Sequence, residues 1–117
     1  MATAKSFQDL LVWQKSHQFV VDVYRISAKV PKEEVYGLTS QIRRAAMSIP
    51  ANIAEGFKRK SNKDKARFYN IAEGSLEENR YFLILAKDLN FVETNELQEN
   101  IDEIAKMLNS YITRLKS

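Results

Sequence analysis

His17 is the single histidine in a chain of 117 residues that has no cysteine. Thiolate nucleophiles, cysteine-held zinc and iron–sulfur clusters are thereby removed. A nucleophile–base–carboxylate triad also lacks its parts. Carboxylates inside a helical bundle would suit a di-metal centre, but that centre needs Glu-x-x-His on two helices. No glutamate stands three residues before His17. His17 is therefore expected as a hydrogen-bonded packing residue on a core face. There is no glycine-rich phosphate loop. An enzyme working through Glu55 and Glu77 is the least favoured reading, and no catalytic residue, metal or cofactor is expected.

The other concentrated chemistry is charge. FKRKSNKDKAR, residues 57–67, carries six cations against Asp64, whereas ETNELQENIDE, residues 93–103, carries five acids and no base. The net charge of +3 hides that asymmetry. Acids near a helix start are favoured by the macrodipole, which accounts for much of the second segment. The first segment suits phosphate groups, with Lys58, Arg59, Lys60, Lys63, Lys65 and Arg67 gathered around one connection. No base-reading signature accompanies them, so contact with nucleic acid would be electrostatic and weakly sequence-specific. A solvated loop or a protein-docking surface would explain the same cations without nucleic acid.

Four amphipathic helices can position these groups. The first is expected from about Asp9 to Ala28, with Leu10, Trp13, His17, Val21, Tyr24 and Ala28 at helical spacing on its core face. Pro31 ends it. The second runs from about Leu38 to Lys58, capped by Thr39 or Ser40, with Leu38, Ile42, Ala45, Ala46, Ile49, Ile53 and Phe57 as its core stripe. Ser61 or Asn62 can cap the third. That helix is expected to bury Phe68, Ile71, Ala72, Ser75, Leu76, Phe82, Leu83, Ala86 and Leu89. Thr94 is the candidate cap of the fourth, which lines up Leu97, Ile101, Ile104, Leu108, Ile112 and Leu115. Short connections predict an all-α, up-down-up-down antiparallel four-helix bundle. Residues 7–117 form one domain by length, and residues 1–6 are expected as a disordered tail. No stretch approaches a membrane span or a signal peptide, so a soluble, cytoplasmic protein without membrane contact is expected.

Pro50 interrupts the second helix without shifting its apolar phase. A continuous helix, kinked at Pro50, is predicted, with the Ala46 carbonyl released from its bond. Beside the apolar stripe runs a polar one of Gln41, Arg44, Ser48, Asn52, Glu55 and Arg59. A structural polar network is expected from Gln41, Ser48, Asn52 and Glu55 with Glu73 and Glu77 of the third helix. Gly74 and Ser75 are small enough for a neighbouring backbone to approach.

Helix 1 carries a second apolar stripe of Val12, Phe19, Val23 and Ile26, and the outer arc of helix 2 holds Met47, Ala51 and Ala54. A lone bundle would place charges there. These residues are expected to form an oligomer interface.

"FQDLLVWQKS", "YGLTSQIRRAAMSIPANIAEG" and "RFYNIAEGSLEE" occur in order across about residues 7 to 115. They resemble the family of four-helix-bundle proteins encoded in intervening sequences of bacterial 23S rRNA genes. The resemblance implies a left-handed bundle assembled into a ring, typically a homopentamer. Related accessory variability proteins of diversity-generating retroelements form basic pentameric barrels that bind nucleic acid and a reverse transcriptase. By that likeness Arg43 and Arg44 join the loop cations as expected nucleic-acid-binding residues. The expected partners are further copies of the chain, RNA or another nucleic acid, and a protein partner.

Overall fold

The computed structural model describes residues 3–116 and contains four α-helices, α1 (Leu11–Ser27), α2 (Leu38–Lys58), α3 (Asn62–Asp88) and α4 (Asn95–Lys116). Short 3-10 turns precede α1 at Phe7–Asp9 and α2 at Lys32–Glu34, and among the described residues there is no strand. The helices pack side by side into a body 45 Å long and 24 by 21 Å across. α2 lies most extensively against α3.

Local chemistry sets the helix ends. Ser61 accepts a hydrogen bond from the Asp64 amide and so caps α3, as expected. Asn90 adopts φ 59° just beyond α3. The Phe91 amide donates to the Ala86 carbonyl and the Asn90 amide to that of Lys87, a paired closure that stops the helix. α4 begins after Thr94, and the Thr94 hydroxyl donates to the Leu83 carbonyl of α3 at 2.8 Å. The same hydroxyl accepts from Gln98 Nε2 at 2.9 Å, and the Thr94 carbonyl accepts the Gln98 amide, so Thr94 stands at the head of α4 as expected and also ties it to α3. α2 starts from Gly37, and Thr39 lies inside the helix, buried.

The cores of α2 and α4 follow their periodicity. Ile42, Ala46, Ile49, Ile53, Leu97, Ile101, Ile104 and Leu108 are all buried. α2 passes through Pro50 without interruption. The lost amide bond is offset by burial of Pro50 itself among the packed helices.

α1 is turned the other way from expectation. Val12, Phe19 and Val23 are 1 %, 1 % and 0 % exposed and belong to the chain's own core, with Ile26 packed against it. Val12, Phe19 and Val23 are therefore occupied within one chain and are not an interface between chains, whereas Ile26 is only partly covered. His17, Tyr24 and Ala28 are exposed, and Trp13 is half-buried. The reason lies at Ser16 and Ser27, both buried on the inward stripe. The Ser16 hydroxyl is satisfied by the Val12 carbonyl at 2.7 Å, so a polar residue enters the core at little cost. Those serines break up the apolar reading of the stripe that is actually buried.

α3 departs in a smaller way. Tyr69 and Asn79 are buried, whereas Ile71 and Leu89 are exposed. Residues expected as a disordered tail also make contacts. Ser6 and Asp9 form a reciprocal capping box, and Ala4 packs against the core. Met1 and Ala2, the rest of that expected tail, lie outside the described residues.

Candidate nucleic-acid interface

The connection between α2 and α3 spans residues 59–61, so the cations of 57–67 are drawn to one end of the bundle. They divide into two groups. Lys65 is a structural cation: its Nζ donates to the Phe57 carbonyl at 2.6 Å and to that of Gly56 at 3.4 Å. It closes the last turn of α2, where a positive charge also complements the helix dipole. Burial pushes the Lys65 ammonium below the usual lysine range. Arg59 pairs with Glu55 at 3.2 Å and lies 4.8 Å over the Phe68 ring. Its Nε is buried without a hydrogen-bond partner.

Lys58, Lys60, Lys63 and Arg67 form the second group. All four are exposed, and none has an ion-pair partner among the described residues. The Arg67 guanidinium also lies over the Phe68 ring, at 5.0 Å. The fold brings further cations to the same end. Asn62 donates to the Leu115 carbonyl at 3.4 Å, which sets the last turn of α4, with Lys116, beside the start of α3. Lys5 and Lys58 both line a cavity of about 680 Å³ whose walls include Phe7, Phe57 and Phe68. Lys5 and Lys116 were missed because each stands alone in sequence. Only the packing of the chain ends against α2 and α3 reveals them.

Arg43 and Arg44 are not part of this cluster. They sit near the other end of α2, about 20 Å away at 1.5 Å per residue. The Arg43 Nε donates to Ser27 Oγ at 2.8 Å, its Nη2 donates to the Tyr24 carbonyl, and the guanidinium lies 4.5 Å over the Tyr24 ring. Arg43 thus locks α1 to α2. Arg44 is exposed and bonds only Gln41, at 3.1 Å.

The polar stripe of α2 is only partly a network. Ser48 receives hydrogen bonds from Ser75 at 2.7 Å and from Asn52 at 2.9 Å, and Asn52 also donates to the Ser48 carbonyl. Asn79 continues the line by donating to the Ser75 carbonyl, while its buried Oδ1 has no protein partner. Gln41 and Glu55 make local contacts within α2. Among the described residues Glu73 joins nothing polar, and Glu77 turns away to Arg80, which also pairs with Asp102 of α4. The hydrogen bond that Arg80 donates to Asp102 chiefly holds its guanidinium above the ordinary pKa. The Tyr69 phenol is pushed up by burial and by neighbouring Tyr111. Among the described residues no set of three or more His, Cys, Asp or Glu side chains is placed to hold a metal.

The outer face of α1 and α2 is apolar after all, but through other residues than expected on α1. Trp13, His17, Val20, Met47, Pro50, Ala51 and Ala54 line a shallow groove of about 320 Å³, with Phe7 at its edge. His17 stacks on Trp13 with rings 5.1 Å apart and 3° from parallel. It is not an internal hydrogen-bonded residue. Met47, Ala51 and Ala54 therefore keep the outward position read from the sequence.

An all-helical bundle with a cationic end and an apolar flank is the class that fold and surface define. The chain belongs to the 23S rRNA-intervening sequence protein family, which it matches over residues 8–110. It is also similar to a crystal structure from Bacteroides thetaiotaomicron, described as a protein of unknown function from the S23 ribosomal protein family. The two share 28 % sequence identity and a TM-score of 0.81, over 87 % of this chain and 98 % of the other. No curated protein matches the chain. Among the described residues no helix is long and apolar enough to cross a membrane.

Proposed function

We propose that this chain is a non-catalytic, self-associating cytoplasmic protein that holds nucleic-acid phosphates at the α2–α3 end of its bundle. The observation carrying this reading is the set of exposed cations without anionic partners, Lys58, Lys60, Lys63 and Arg67, gathered at one end. Cations held for the fold find carboxylates or carbonyls, as Arg43, Arg59 and Lys65 do, whereas Arg67 meets only the Phe68 ring. The four others keep their charge available to a polyanion. Self-association through the Trp13–Met47–Ala51 flank would multiply that charge, and a pentameric ring is the arrangement we favour from the family likeness.

The test is fluorescence anisotropy of a labelled structured RNA over a salt series. Affinity is expected to fall with a log–log slope of about −3 per engaged chain if all four cations meet phosphates. Lys60→Ala with Lys63→Ala should flatten that slope by about 1.5, half of the four-cation value. Absence of binding at low ionic strength would refute the nucleic-acid role. The apolar groove favours a second reading, a scaffold for a protein partner. Recovery of one stoichiometric protein after nuclease treatment, without RNA binding, would favour it.

A further inference from the structure

We infer that the cavity of about 680 Å³ at the cationic end takes one unpaired nucleobase bearing an exocyclic amine, cytosine or adenine, from a strand whose phosphates lie against Lys5 and Lys58. This rests on the phosphate-holding role proposed above and gives that role a preference among bases.

Lys58 belongs both to the free cations and to the wall of the cavity, so a strand held by those cations passes its mouth. The volume falls in the range of small-ligand sites and leaves room for a base with its sugar. The apolar wall is aromatic, with Phe7, Phe57 and Phe68 beside Ala51 and Ala54. Each ring is held from elsewhere in the fold. Trp13 meets Phe7 edge to face at 4.9 Å, the Lys65 ammonium lies 5.3 Å from the centre of Phe57, and Arg59 and Arg67 lie over Phe68. Unpaired bases stack on such rings and on guanidinium planes. A base inside a duplex must first leave its stack to do so.

The polar part of the wall selects the base. Asn52 donates its amide nitrogen to the Ser48 carbonyl and hydroxyl, so the group it can offer a ligand is its Oδ1, an acceptor. Glu55 is the one carboxylate among the described residues lining the cavity. It meets Arg59 through one oxygen at 3.2 Å and keeps further lone pairs. Two acceptors call for N–H donors. The amines of cytosine and adenine supply them, and carboxylates accept from the cytosine amine in base recognition. Uracil has carbonyl oxygens on both sides of its one N–H, and these would face the Glu55 carboxylate. Asp9, the acid on the turn beside Lys5, is engaged by the Lys5 and Ser6 amides. Phe7, Ala51 and Ala54 also border the shallow groove on the α1 side, whereas Asn52, Glu55 and both lysines do not. Copies that cover the groove therefore do not take the groups that read the base.

The experiment is fluorescence anisotropy of labelled oligocytidylate and oligouridylate of equal length with the intact chain. The two strands carry the same charge and rings of the same size, so phosphate contacts alone cannot separate them. Oligocytidylate is expected to bind about tenfold more tightly. A deoxycytidine oligomer in the same assay distinguishes an RNA strand from a DNA strand. Glu55→Gln, whose amide can also donate to a uracil carbonyl, should reduce the preference to about twofold or less. Phe7→Leu keeps the wall apolar without its ring, and should weaken oligocytidylate binding about fivefold with an unchanged salt slope. Circular dichroism should report wild-type helicity for both variants. Equal affinity for the two strands, or a preference untouched by either substitution, overturns the inference and leaves the phosphate reading standing. Absence of binding to either strand at low ionic strength overturns both.

Discussion

Gly56 and Gly74 are both helical, and they do opposite work. A Cβ on Gly56 would come within 2.7 Å of the Tyr69 ring and 3.2 Å of Phe68 Cβ, so this glycine lets α2 and α3 close on each other. Gly56→Ala is expected to lower stability by about 1–3 kcal/mol through overpacking. Gly74→Ala, in protein dilute enough to keep chains apart, should raise it by up to about 1 kcal/mol through helix propensity. Urea denaturation of the two variants checks both signs. At this scale the sequence was readable where one side chain decides a local structure, as at Ser61. It was not readable for the outward stack of His17 or for the second helix that Thr94 reaches. Their partners, Trp13 and the Leu83 carbonyl, depend on which way a helix is rotated and where the next one starts.

The helices were legible as elements, and so were the buried faces of α2 and α4, where one stripe is apolar and the opposite side is small or charged. α1 was misread because it is apolar almost all round. Periodicity alone cannot then choose between the Trp13–Tyr24 side and the Val12–Phe19–Val23 side. The protein buries the aliphatic side with two serines in it and leaves the aromatic and imidazole side outward. The consequence for mutation is a change of phenotype. Phe19→Ala should cost about 3–5 kcal/mol, as for a fully packed core phenylalanine. Phe19→Glu should abolish folding rather than separate copies. Thermal melts followed by circular dichroism distinguish the two outcomes, and a well-folded Phe19→Glu variant would contradict the placement of α1.

For the whole molecule, the arrangement of charge is what sequence reading could not complete. The cluster at 57–67 stood out as a run, but its division into structural and free cations is set by contacts with Glu55, Phe68 and the end of α2. Lys5 and Lys116 join it only through the fold, and Arg43 and Arg44 leave it because α2 is long. The apolar flank tells the same story, since Met47, Ala51 and Ala54 were placed outward correctly while their companions on α1 were not. In the proposed assembly that flank is covered by other copies, and the cationic ends come into line. Multi-angle light scattering of the intact chain at micromolar concentration tests this directly. The expected mass is a multiple of the 13.5 kDa chain, five copies for the favoured ring. A species of 13.5 kDa under those conditions would contradict the account.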